Sequence, residues 1–74
     1  MDQRLAEQRR VWLQSQLVRS GNMTATDLAW VARCPVGQIR QYLLGSRTMS
    51  VAEMRDLAAA LDVDVPARLL EADA

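Results

Sequence analysis

The sequence predicts an all-α fold, a compact bundle of four to five helices forming one domain over residues 1–74. Three observations carry that expectation. Half of the residues are apolar, enough for a folded core rather than disorder. Trp12, Trp30 and Tyr42 are the only aromatics, so the core must come from Leu, Val, Ala and Met, a composition that favours packed helices over sheets. Gly21, Gly37, Gly45, Pro35 and Pro66 are the only glycines and prolines, too few turn-formers for a small all-β domain.

The first helix is expected over about residues 2–20, an extended run of good helix formers without Gly or Pro. Leu5, Trp12, Leu13 and Leu17 recur at helical spacing and give it one apolar face, with Val11 and Val18 beside that face. Ser20-Gly21-Asn22 suits a left-handed stop. Thr24 to Asp27 reads as a capping box opening a second helix, with Leu28, Val31 and Ala32 inward and Trp30 partly exposed. After a short break at Arg33-Cys34, a third helix runs to Leu44, with Ile39, Tyr42 and Leu43 inward, and stops at Gly45-Ser46. Ser50 and Glu53 form a second capping box for a fourth helix striped by Met54, Leu57, Ala58 and Leu61. Asp64 can cap a last short helix with Pro66 in its first turn. Leu69 and Leu70 fold back or meet a partner, and residues 71–74 form a short frayed tail.

Composition also narrows the chemistry. Cys34 is the single cysteine and there is no histidine, which excludes an internal disulfide, a usual Cys/His zinc site and His-based catalysis. No metal, no cofactor and no enzymatic activity are expected. No signal-peptide-like or membrane-spanning apolar run is present, so a cytoplasmic protein without membrane contact is expected, nucleoid-associated when bound to DNA.

The net charge is zero, but its distribution is uneven. Residues 1–50 hold seven arginines against three acids, and residues 51–74 hold two against six, about +4 and −4. The stretch from Leu28 to Ala52 has no Asp or Glu and contains Arg33, Arg40 and Arg47. A helix, a tight turn and a second helix at this spacing outline a helix-turn-helix. An acid-free example with arginines on and around its second helix suits DNA.

From Thr24, Leu28-Ala29, Ile39, Gly45, Arg47, Ser50 and the terminal Leu57-Ala58-x-Ala60-Leu61-x-Val63, the chain resembles the phage-repressor and Cro-type helix-turn-helix family over roughly residues 13–70. The resemblance implies a lambda-repressor-like five-helix bundle that binds operator DNA as a homodimer and tunes transcription, as a phage or mobile-element regulator would. The chain departs from that family at Arg33, where Gly is common in the turn, and at Pro35, where Ser or Thr usually caps the recognition helix. It departs again at Ala25, where Gln often holds a phosphate, and at Val36-Gly37 and Leu43-Leu44, where polar residues are common.

The candidate base readers are Val36, Gly37, Gln38, Arg40 and Gln41. Gln pairs with adenine N6/N7, Arg with guanine O6/N7, and Val with a thymine methyl; Gly37 lets the backbone approach closely. Thr26, Arg33, Ser46, Arg47 and Thr48 are the candidate phosphate ligands, setting register rather than sequence preference. Each set can equally be a solvated helix face. Arg4, Arg9 and Arg10 are read as a solvated face with Glu7 as intrahelical partner. Leu44, Val65, Leu69 and Leu70 are surplus to a small core and are candidates for a dimer or partner interface. Two functions follow. The first is a homodimeric, sequence-specific regulator of double-stranded DNA. The second is a protein-interaction module on the same fold, an antirepressor, antitoxin-like partner or inhibitor that binds a protein partner instead.

Overall fold

The computed structural model describes residues 3–70. Four α-helices follow in order: α1 Gln3–Arg19, α2 Ala25–Ala32, α3 Val36–Leu44 and α4 Val51–Leu61. No strand occurs among the described residues. The expected fifth helix is only a 3₁₀ turn, Ala67–Leu69, which follows Pro66 without a side-chain cap; Asp64 does not serve as its cap. The frayed tail expected at 71–74 lies outside the described residues. The Cα radius of gyration is 11.3 Å, and a compact chain of this length should give about 11 Å, so no helix stands away from the body.

Local chemistry sets the helix ends. Thr24 and Ser50 each close a full capping box, with Asp27 and Glu53 reaching back to the cap backbone. Pro35 precedes α3 and makes no side-chain cap. Gly21 and Asn22 end α1 in left-handed conformations, and Gly45 does the same for α3. Arg33 and Asp62 also take φ 57° at the ends of α2 and α4. For a residue with a Cβ that conformation costs roughly 1–2 kcal/mol, yet the turn after α2 adopts the left-handed geometry without Gly.

The core gathers one face of each helix. Leu13, Leu28, Ile39, Met54 and Leu69 are fully buried, surrounded by Leu5, Trp12, Leu17, Ala29, Tyr42, Met49, Leu57 and Ala58. Val31 was expected inside; it is 46% exposed, and Ala29 takes the inward position. Trp30 is more open than expected, at 85%.

The largest correction concerns Arg9. The sequence suggests a solvated face for it, yet it has no solvent exposure at all. Its Nε donates to the Leu69 carbonyl at 3.1 Å and its Nη1 to the Met49 carbonyl at 2.9 Å. One α1 side chain thus ties down both the α3–α4 loop and the C-terminal turn. Arg10, the next residue, does behave as expected, pairing with Glu7 at 3.2 Å.

Candidate functional site

The α2–α3 unit is a helix of eight residues, a connection at Arg33-Cys34-Pro35, and a helix of nine. The Cys34 amide donates to the Ala29 carbonyl at 3.1 Å, which closes the turn tightly behind α2. Ile39 and Tyr42 anchor α3 in the core. Their inward placement turns Gly37, Arg40, Gln41 and Leu44 outward as one strip, all of them exposed. Thr26, Arg33, Ser46, Arg47 and Thr48 are also exposed and lie at the ends of α2 and α3.

Within the expected base readers the structure separates two groups. Arg40 and Gln41 stand in solvent, and Gly37 has open space where a Cβ would be, with nothing within 4 Å. Val36 is half-buried and packs against the core, which leaves it only a rim position. Gln38 does not point outward as expected. It is half-buried, and its Nε2 donates to the Tyr42 hydroxyl at 2.6 Å and to Glu53 Oε2 at 3.2 Å. The reason is its place one turn before Tyr42, on the side of α3 that the Glu53 side chain reaches from α4.

Among the expected phosphate ligands, Arg47 is engaged within the protein. Its Nη2 lies 3.2 Å from Glu53 Oε2, and its guanidinium sits 5.8 Å from the Tyr42 ring centroid. The side chain remains 49% exposed. Ser46 Oγ donates to the Gln41 carbonyl at 3.3 Å. Among the interface candidates, Leu44 is 81% exposed. Val65 and Leu70 are half-buried against the core. Leu69 is fully buried, so it completes the core and is not available to a partner.

The network around Glu53 was not anticipated. One carboxylate oxygen, Oε2, accepts from Gln38, Tyr42 and Arg47, while Oε1 accepts from the Ser50 amide at 3.0 Å. Burial would push this carboxyl up, but the hydrogen bonds from Tyr42, Ser50 and Arg47 outweigh it and hold the group at about 2, below its ordinary 4.5. Burial, and then the Glu53 carboxylate beside it, push the Tyr42 phenol up. The acid-free stretch of sequence is therefore not acid-free in space, because Glu53 folds back beside Arg47. The available signal was Tyr42 itself: a tyrosine on an inward helical position needs a partner for its hydroxyl.

Two other features complete the surface. Ala29, Trp30, Val31, Arg33, Cys34 and Pro35 line a shallow groove over the α2–α3 connection, and burial pushes the Cys34 thiol up, away from thiolate reactivity. A smaller polar cleft of about 220 Å³ lies between α1 and the α3–α4 loop, bordered by Arg10, Arg47 and Thr48. Among the described residues no group of three His, Cys, Asp or Glu side chains is placed to hold a metal, and no helix is long and apolar enough to cross a membrane. The chain matches no protein-family model, no curated protein and no solved structure.

Proposed function

We propose that α2 and α3 act as a helix-turn-helix and that the protein is a small homodimeric regulator binding double-stranded DNA in a sequence-specific way, a binding protein and not an enzyme. The observation that carries this is the exposed strip of α3, Gly37, Arg40 and Gln41, flanked by exposed Arg33 on one side and Ser46-Arg47-Thr48 on the other. A helix laid in the major groove presents this kind of strip to base edges while its flanks meet the backbone. Arg40 and Gln41 are the base readers in this proposal, Gly37 permits close approach, and Val36 touches at the rim. Gln38 is withdrawn from that set because Tyr42 and Glu53 hold it. Thr26, Arg33, Ser46, Arg47 and Thr48 contact phosphates. Leu44 at the C-terminal end of α3 and, separately, Val65 and Leu70 near the end of the described chain are the candidates for contact with a second copy.

Selection of bound duplexes from a random pool tests the proposal, with solution mass measured alongside. The expected result is a palindromic consensus, half-sites about one helical turn apart, and a dimer mass. Two arginines per protomer on the phosphates, Arg33 and Arg47, should give a log–log salt slope of roughly −2 per half-site. Recovery of no enriched sequence, with no salt dependence on any duplex, overturns it.

A second reading has its own support. Trp30 and Leu44 are 85% and 81% exposed, and two candidate DNA ligands, Gln38 and Arg47, are already paired internally. Those features suit a protein-interaction module on the same fold. Loss of the pool selection together with a stable heteromeric complex through Trp30 would favour it.

A further inference from the structure

Resting on the DNA-binding proposal, we infer that Glu53 is an internal stand-in for a backbone phosphate, competing with DNA for Arg47 and setting the affinity of the surface without touching the duplex. Three donors from two elements converge on one anionic oxygen, Glu53 Oε2: Gln38 Nε2 at 3.2 Å, Arg47 Nη2 at 3.2 Å, and the Tyr42 hydroxyl. That is the coordination a phosphate oxygen would seek on the same surface, a guanidinium with neutral N–H and O–H donors beside it. The Tyr42 ring beneath the Arg47 guanidinium, 5.8 Å away, keeps the cation at this place whichever anion it serves.

The pairing is held but not sealed. Arg47 is 49% exposed and Glu53 26% exposed on their side chains, so an incoming phosphate can reach the guanidinium without disturbing the core. A partly exposed ion pair of this kind is weak, so exchange with a phosphate is thermodynamically accessible. The carboxyl stays ionised down to about pH 2, so this is a constant brake rather than a pH switch. Glu53 is thus a positioning residue: it holds Arg47 at the end of α3 before DNA arrives and gives it up when DNA binds.

The test is a double-mutant cycle of Glu53→Gln and Arg47→Ala, read as DNA affinity and as salt slope. Glu53→Gln removes the charge and keeps the capping box, since Gln serves at that position as Glu does. Asp56→Asn, on the same side of α4 and outside the network, is the control for charge alone. The expected result is that Glu53→Gln tightens binding about three- to fivefold, and that this gain disappears when Arg47 is Ala. Asp56→Asn should change affinity less than twofold. Arg47→Ala should weaken binding more in the Glu53→Gln background than in the natural one, and its loss of salt slope should be larger there. A Glu53→Gln gain that persists without Arg47, or that Asp56→Asn reproduces, overturns the inference and leaves the DNA proposal standing. Failure of the natural protein and every variant to bind any selected duplex overturns both. Thermal melting of each variant reports stability separately, and a merely structural role would move melting without moving the salt slope.

Discussion

Glu53 gives up its proton at about pH 2 in the folded chain, whereas a glutamate in the unfolded chain does so near its ordinary 4.5. The folded state therefore binds fewer protons in that interval. The stabilisation is complete above about pH 4.5 and is lost as pH falls toward 2. Its size at neutral pH is on the order of 2–3 kcal/mol at most, reduced by solvent at the partly open side chain. Urea midpoints measured from pH 7 to pH 2 should fall through this window, and the fall should be shallower in Glu53→Gln. Equal slopes in the two proteins would show that the network contributes nothing to acid stability. A second residue-scale expectation concerns Arg33, held at φ 57°. Arg33→Gly should stabilise the fold by about 1 kcal/mol, a rise of roughly 4–8 °C in melting temperature for a domain of this size. Under the DNA-binding proposal, the same change should also reduce the salt slope by about one phosphate. A variant that melts lower than the natural protein would remove the strain argument.

At the scale of helices, α3 is the least locally determined element. It has no side-chain cap at Pro35 and carries Gly37 one residue inside its start. Gly37→Ala should stabilise α3 by about 1 kcal/mol, because the added methyl meets no atom within 4 Å. If the Gly37 backbone lies against the duplex, the same methyl should weaken DNA binding while it raises the melting temperature. Gains in both measurements would remove Gly37 from the interface. Most helix ends were legible in the sequence, since the capping boxes at Thr24 and Ser50, the left-handed stop at Gly21-Asn22 and the stop at Gly45 are decided within four residues of chain; the cap expected from Asp64 was not realised. What periodicity left open was the direction of single side chains at the margins of each stripe. Ala29 and Val31 exchanged places, and Gln38 turned toward α4, because those choices depend on the neighbour that arrives from elsewhere.

At the scale of the molecule, Arg9 joins parts of the chain separated by 40 and 60 residues. Arg9→Ala would leave the Met49 and Leu69 carbonyls without these donors and open a hole beside Leu69. The expected loss is about 3 kcal/mol or more, a large share of the stability of so small a domain. Hydrogen exchange should show the amides of residues 67–70 losing protection at least as strongly as those of α4. Retained protection there would mean that apolar packing of Leu69 alone holds the segment. Helical spacing does separate Arg9, midway between Leu5 and Leu13 on the apolar face, from Arg10 off that face, but it does not say what receives a charge placed there. Arg9 is sealed and Arg10 pairs with Glu7 at the surface; the acceptors that make the burial tolerable, the carbonyls of residues 49 and 69, arrive only when those segments fold onto α1. The same limit applied to Glu53, read correctly as a cap but not as the partner of Tyr42 and Arg47. Local rules of the chain thus predicted the scaffold, whereas the chemistry of its surface depended on contacts across it.

The two tryptophans differ sharply in setting: Trp12 is 6% exposed within the core and Trp30 is 85% exposed beside the α2–α3 turn. The protein therefore carries two intrinsic optical reporters without any label. Iodide should quench Trp30 and spare Trp12. A spectral shift confined to the quenchable component would mark something settling over the outer face of α2, and a shift of both would mark unfolding. A Trp30→Phe variant would isolate the core signal, so folding and docking can be followed separately in the same cuvette.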